Sequence, residues 1–185
     1  MRRPLSPRVL PVPRLLEKVR EGPMGDSPAN AVNVIATLGH NRSLSKAIQQ
    51  FAAAVLGDGT VSRRQREMVI LRMGWNCQAI YEFGQHSLFG REAGLTDPEI
   101  YALTRPLATW DWAPADLAAL HLTDDVYADD CVSDPTWAEV TGHFDESQII
   151  ELLVSVGYYR MVSSILNSCG VALDDGVPGW PSPES

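Results

Sequence analysis

Four side chains able to do chemistry fall within residues 67–94, EMVILRMGWNCQAIYEFGQHSLFGREAG: Glu67, Cys77, Glu82 and His86. The surrounding residues are mostly apolar, and Arg72 is the only fixed charge between Glu67 and Glu82. Glu82 and His86 stand four residues apart, which on a helix places both on one face. Ala79, one turn earlier, shares that face, and its small side chain leaves room for a ligand. Glu67 precedes them on its own helical run and reaches His86 if the chain folds back between the two. A carboxylate beside an imidazole fixes the ring's tautomer and raises its proton affinity. A second carboxyl group in an apolar wall tends towards the neutral acid. Together such groups could move a proton to and from a substrate carbon or oxygen at neutral pH.

The same residues have plainer readings. A Glu–His pair four apart on a solvent-facing helix is common and contributes only about 0.3 kcal/mol. Cys77 suits a buried small hydrophobe as well as a nucleophile. Tyr81 and Trp75 suit core or pocket walls. His40, after Gly39, suits a helix C-terminus, and His121 and His143 lie on other segments beside acidic or aromatic neighbours. Glu67, Glu82 and His86 number enough for a metal. The bundled di-metal pattern, however, needs Glu-x-x-His twice, and here the spacing differs and no second copy exists. No Cys-x-x-Cys or Cys/His array is present, so neither a metal nor another cofactor is expected.

Composition narrows the partners. The net charge of −8 opposes binding to nucleic acid or to an anionic membrane, leaving a small-molecule substrate. Cys77, Cys131 and Cys169 are odd in number and far apart, which fits reduced thiols and a cytoplasmic protein. No apolar run near twenty residues suggests a membrane span, and Pro4, Pro7, Pro11 and Pro13 break up the N-terminal stretch.

The elements that must hold these residues read as helices throughout, because no stretch alternates with period two. Residues 1–29 form a Pro-rich arm with a short helix around Arg14 to Arg20, either mobile or wrapped on a neighbour. Helical patterns follow at 31–38 and 43–56, the second stopped by a turn at Gly57–Gly59. Ser62 to Gln65 reads as a capping box, starting a helix that reaches about Trp75 and breaks near Asn76 and Cys77. The next runs from about Gln78 to Ala93, with Gly94 as its stop. Thr96 caps a short helix, Pro114 opens another, and Asp134-Pro135 opens a third. Asp145 to Gln148 caps an apolar helix of about 20 residues, read as the central scaffold. The expectation is one all-α domain over residues 30–174 with about eight helices, then a tail at 175–185 ordered only by contact.

Residues 64–100 resemble the carboxymuconolactone decarboxylase family, which shares the AhpD-like all-helical fold. The resembling features are Arg66-Glu67 before an Ile-Leu-Arg helix, Trp75-x-Cys77, Tyr81-Glu82-Phe83, Gln85-His86 and Gly94-Leu95-Thr96. The run from Ile149 to Gly179 is similar to the family's C-terminal region, so the resemblance covers most of 30–179. The peroxidase branch of the family uses a Glu, a Cys-x-x-Cys and a His four residues after the second Cys. Matched on His86 and Gly94, those places hold Glu67, Ala79, Glu82 and His86, so both redox cysteines are absent. Cys77 stands two residues away from the first of them. Disulfide-cycled peroxide reduction needs a thiolate and a resolving thiol.

The resemblance therefore implies cofactor-free acid/base chemistry: a lyase of decarboxylase type, or an isomerase, acting on a small oxygenated carbon acid. In that reading His86 is the base or acid, Glu67 orients it, Glu82 is the second proton-transfer group, and Tyr81, Cys77 and Trp75 support the pocket. It also implies a homo-oligomer. Two alternatives stand beside it. One is an alkylhydroperoxidase-like thiol peroxidase centred on Cys77. The other is a non-catalytic oligomeric binding protein, in which the three polar residues pair only with each other and no cavity lies beside them.

Overall fold

The structure, a computed structural model, describes residues 3–22, 30–57 and 59–182. Nine α-helices are present among them: α1 Pro13–Arg20, α2 Val32–Leu38, α3 Arg42–Leu56, α4 Arg63–Asn76, α5 Ile80–Glu92, α6 Asp97–Ala102, α7 Pro114–Asp129, α8 Asp134–Thr141 and α9 Glu146–Cys169. A 3-10 turn at Leu107–Thr109 interrupts the loop before α7. No strand occurs among the described residues. The all-α expectation therefore holds.

The helix starts follow from their caps. Thr96 and Asp145 each form a reciprocal capping box, with Glu99 and Gln148. Ser62 departs from its expected box. Its hydroxyl accepts from the Gln65 N–H, but the Gln65 side chain does not return to the Ser62 backbone: its Nε2 donates to Asp116 on α7. Gln65 Oε1 accepts from the Ser62 hydroxyl at 2.9 Å in place of the Ser62 N–H, while Asp116 holds the amide nitrogen. The expected turn at Gly57–Gly59 includes Asp58, which lies outside the described residues, as do 23–29 of the arm and 183–185 of the tail.

The central element is α4, where α9 was expected. Nine consecutive residues of α4, Arg66 to Gly74, are buried, and the helix packs against α5, α7 and α9. Met68, Leu71 and Phe83 join Ile100, Leu103 and Leu120 on one side; Val69, Ile70 and Met73 join Leu122, Leu152 and Val156 on the other. The α9 helix is one-sided. Ile149, Leu152 and Val156 are buried, while Ile150, Val154 and Met161 are exposed. By length and composition alone α9 could cross a membrane, which corrects the expectation that no such run exists, although its inner face is packed into this core as in any core helix.

The turn between α4 and α5 decides the site. Asn76 and Cys77 end α4, and Gln78 takes a left-handed conformation at φ 52°. The Ala79 N–H donates back to the Gly74 carbonyl. The helix therefore starts at Ile80, two residues later than expected, because a residue at positive φ cannot belong to a right-handed helix. The sharp reversal folds α5 back against α4.

Both ends of the described chain pack onto this body. The Arg8 and Val9 N–H groups donate to the Cys169 carbonyl at the end of α9, and the Val12 N–H donates to the Ala36 carbonyl. The described part of the arm thus wraps its own chain. At the other end Val171 and Val177 are buried, and Trp180 lies 5.2 Å from Trp75 and 5.1 Å from Phe83 between ring centres. Gly84 permits this seat: a Cβ there would collide with the Pro178 carbonyl oxygen and lie 2.8 Å from Val177 Cγ1. Replacing Gly84 with Ala should lower stability by about 1–3 kcal/mol through overpacking and speed proteolytic cleavage within 171–182. A variant matching the wild type in urea midpoint and cleavage rate would show the tail does not depend on this contact.

Candidate active site

A cavity of about 350 Å³ lies between α2 and α3 on one side and α5 and α9 on the other. From α2 it is lined by Val34, Ile35 and Leu38, and from α3 by Ile48, Gln49, Ala52 and Leu56. Tyr81, Glu82, Gln85, His86 and Phe89 face it from α5, and Tyr158, Tyr159, Val162 and Leu166 from α9. Such an apolar pocket with a few convergent polar groups is of small-molecule size. Its lining contains no Lys or Arg. The cavity is what the purely structural pairing of Glu67, Glu82 and His86 would have lacked.

Glu67 and His86 meet as the fold-back required. His86 Nδ1 is 2.7 Å from Glu67 Oε2, and both residues are buried. A carboxylate only accepts, so Nδ1 carries the proton in this pair and Nε2 is the ring nitrogen left for a ligand. Rings lock the imidazole in place: Tyr159 meets it edge-on at 4.6 Å and Phe89 at 5.5 Å between centres.

Glu82 sits one turn from His86 on α5, fully enclosed. The Ser163 hydroxyl donates to its Oε1 at 3.1 Å, while Oε2 has no hydrogen-bond partner among the described residues. Burial pushes this carboxyl well above the ordinary carboxylate range, and only the Ser163 hydrogen bond opposes the shift. The surroundings of Glu82 therefore favour its neutral form over its carboxylate. Burial first, and then the neighbouring Glu82 and Glu67 carboxyl groups, hold the Tyr159 phenol well above its usual range. Burial and Glu82 push Tyr158 up to about 12, and its hydroxyl donates to the Ile48 carbonyl at 3.2 Å.

Tyr81 has a positioning role at the cavity wall. Its hydroxyl donates to Asp174 and accepts from the Val34 N–H of α2 at 3.2 Å. Asp174 also accepts from Gln85 Nε2 at 3.0 Å and from the Asn33 N–H at 2.9 Å. One carboxylate from the C-terminal segment thus ties α2 to α5. Burial and this neighbouring charge raise the Tyr81 phenol far above its normal range.

Other expected residues fall away from the cavity. Ala79 is the residue before α5, buried but not part of the lining, because the late helix start takes it off the Glu82 face. Trp75 packs against Trp180 and the second core cluster. Cys77 ends α4 with its thiol 3.5 Å from Met73 Sδ, and burial pushes that thiol up, away from the reactive thiolate. No cysteine lines the cavity. Among the described residues no three His, Cys, Asp or Glu side chains converge to hold a metal ion. Tyr158, Tyr159, Ser163 and Asp174 were missed; the adjacent tyrosines inside an otherwise apolar helix were the available signal.

Residues 43–125 match the Carboxymuconolactone decarboxylase family, a span that includes Glu67, Glu82 and His86 but not α9. A search of curated proteins finds no match to the sequence. Among solved structures, an uncharacterized peroxidase-related protein from Silicibacter sp. TM1040 aligns with a TM-score of 0.77 at 15% identity, over 96% of this chain and 97% of that one. The alkylhydroperoxidase AhpD core protein from Ralstonia eutropha JMP134 aligns at 0.73 and 19% identity, over 88% and 84%. The debrominase Bmp8, solved with 2,3,4-tribromopyrrole, aligns at 0.72 and 16% identity, over 92% and 94%. At such identities the likeness is one of fold. The chain has the AhpD-like fold, and its residues 43–125 match the carboxymuconolactone decarboxylase family while lacking a Cys-x-x-Cys pair.

Proposed function

We propose that the protein is a cofactor-independent lyase or isomerase that moves protons on a small oxygenated carbon acid. The observation that carries this reading is the buried Glu67–His86 pair beside an apolar cavity whose lining also holds Glu82, a carboxyl group that burial shifts towards its neutral form. His86 Nε2 removes a proton from the carbon next to a substrate carbonyl. The C–H electron pair moves into an enol, and Glu82 gives its proton to the enol oxygen. In the second half the enol, conjugated with a further C=C of the substrate, takes the His86 proton at the far end of that dienol. The remaining double bond shifts into conjugation with the re-formed carbonyl, and the enol hydroxyl returns its own proton to Glu82. Glu67 stabilises the imidazolium that exists between the two halves. In the lyase form, carbon dioxide leaves and its C–C electron pair enters the same enol. The absence of Lys and Arg from the lining favours isomerisation of a neutral compound over capture of a free carboxylate.

The thiol peroxidase reading has less support. Cys77 lies off the cavity, and its thiol is pushed towards the protonated form. Self-association belongs to the proposal as well. Phe51, Ile150 and Val154 expose apolar surface around one groove of α3 and α9. Sedimentation velocity finding a monomer at all concentrations would remove that part.

Deuterium exchange into a panel of small cyclic ketones and unsaturated lactones, followed by NMR, tests the chemistry. Wild type should catalyse exchange with at least one compound, His86→Ala should lose roughly 100-fold or more, and Cys77→Ser should lose nothing. Exchange that survives in His86→Ala, or vanishes in Cys77→Ser, would sink the assignment.

Glu82 makes a separate prediction. Its folded pKa lies above its unfolded one, so the protonated form contributes full stability below the unfolded value, about 4.3. That contribution is lost as pH rises towards the folded value. Relative to Glu82→Gln, wild type should therefore weaken as pH rises from about 4.3, by at most about 1.4 kcal/mol per pH unit. Urea denaturation of both proteins measures the trend, and infrared spectroscopy at pH 7 should show a protonated carboxyl band missing from the variant. A pH-independent difference would mean that Glu82 is ionised in the folded protein.

A further inference from the structure

Outside the cavity, the charge distribution has one feature that the proton-transfer reading does not use. Arg14 and Lys18 stand four residues apart on α1, and Arg42 and Lys46 stand four apart on α3. All four are exposed and line a single groove of about 830 Å³ between those helices. No Asp or Glu among the described residues lines it. None of the four enters an ion pair among the described residues, although Arg20 on the same α1 reaches Asp175 at 3.9 Å. The two lysines are also the only lysines in the chain. Like charges at i and i+4 repel by a few tenths of a kcal/mol, so two such pairs facing one groove are unfavourable without an anion. The N-terminus of α3, at Arg42, adds its positive dipole end to the same place.

The groove adjoins the cavity. Ile35 and Gln49 line both. Leu15 and Val19 give the groove an apolar side as well as a charged rim. The cavity itself has no Lys or Arg among its described lining residues. The two spaces thus differ in the chemistry they accept and share a wall.

We propose that the groove between α1 and α3 binds the phosphate-bearing tail of a substrate whose neutral, apolar reacting part occupies the cavity. The identity of the reacting end rests on the proton-transfer reading; the binding of phosphate does not. A small organic phosphate fits better than an acidic protein segment, because the cations surround a concave space that leads to the cavity wall and do not spread over a flat face. With a net charge of −8 the protein repels anions at long range, so the four local cations must supply the attraction, and salt should weaken it.

Calorimetric titration of the full chain with inorganic tripolyphosphate at low salt tests this. Wild type should show saturable one-to-one binding. The exposed double substitution Lys18→Gln with Lys46→Gln should weaken it at least tenfold, while Arg8→Gln with Arg105→Gln, an equal change in charge elsewhere, should stay within twofold. Tripolyphosphate should also shift the Ile35 methyl NMR signals. No saturable binding, equal loss in both double variants, or an unmoved Ile35 signal would overturn the proposal. A poly-glutamate peptide binding tenfold more tightly than tripolyphosphate would overturn it in favour of a protein partner. His86→Ala should bind tripolyphosphate as wild type does, so failure of the proton-transfer reading and failure of the groove are read separately.

Discussion

A helix buried on every side can carry charges only if each one is met, and α4 carries three in its buried run: Arg66, Glu67 and Arg72. Each is satisfied by a different part of the fold. Arg72 forks onto Asp124 of α7 with two contacts of 2.7 Å and donates to the Leu103 and Arg105 carbonyls, fixing the segment after α6. Arg66 donates to the Leu56 and Gly57 carbonyls at the end of α3 and lies 3.5 Å from the Glu151 carboxylate of α9. Glu67 takes His86 of α5. The needs of these charges thus place the cavity's roof and the base at its wall. The Glu67–His86 pair is one of three solutions to the same problem of burial.

This also explains what could be read from sequence. Caps at Thr96 and Asp145, the break after Asn76 and the shared face of Glu82 and His86 are local, and local chemistry decided them. The Ser62 box failed where Asp116, 51 residues away, took the Gln65 amide. The late start of α5, which removed Ala79 from the cavity, depends on one left-handed residue, Gln78, that no glycine or asparagine signals. The central role passed from α9 to α4 because hydrophobic patterning marks a helix with one buried face more clearly than one buried all round that also carries charges. Tyr159 and Ser163 enter the site through helix packing between segments some 80 residues apart, which spacing along the chain cannot report.

Glu82 shows how a site can change chemistry on a constant frame. It stands where the resemblance places a redox cysteine, in a pocket that keeps the Glu–His pair. A thiol there would need a low pKa and a partner thiol. A carboxyl group needs only burial to be shifted towards its neutral form, and α5 and α9 provide that enclosure, with the Ser163 hydroxyl as its one hydrogen-bond partner among the described residues. The apolar surroundings that would suppress a thiolate are what make the acid useful.

The Asp174 contacts carry a consequence for truncation of the chain. Asn33 and Val34 of the roof helix stand early in the sequence, yet the carboxylate that accepts from Asn33 and from the Tyr81 hydroxyl comes 141 residues after Asn33. Residues 30–166 can contain every side chain that lines the cavity and still lack this fastening. The hold of α2 over the cavity therefore depends on the C-terminal segment, and removing that segment would release α2 from Asp174 without taking away one lining side chain.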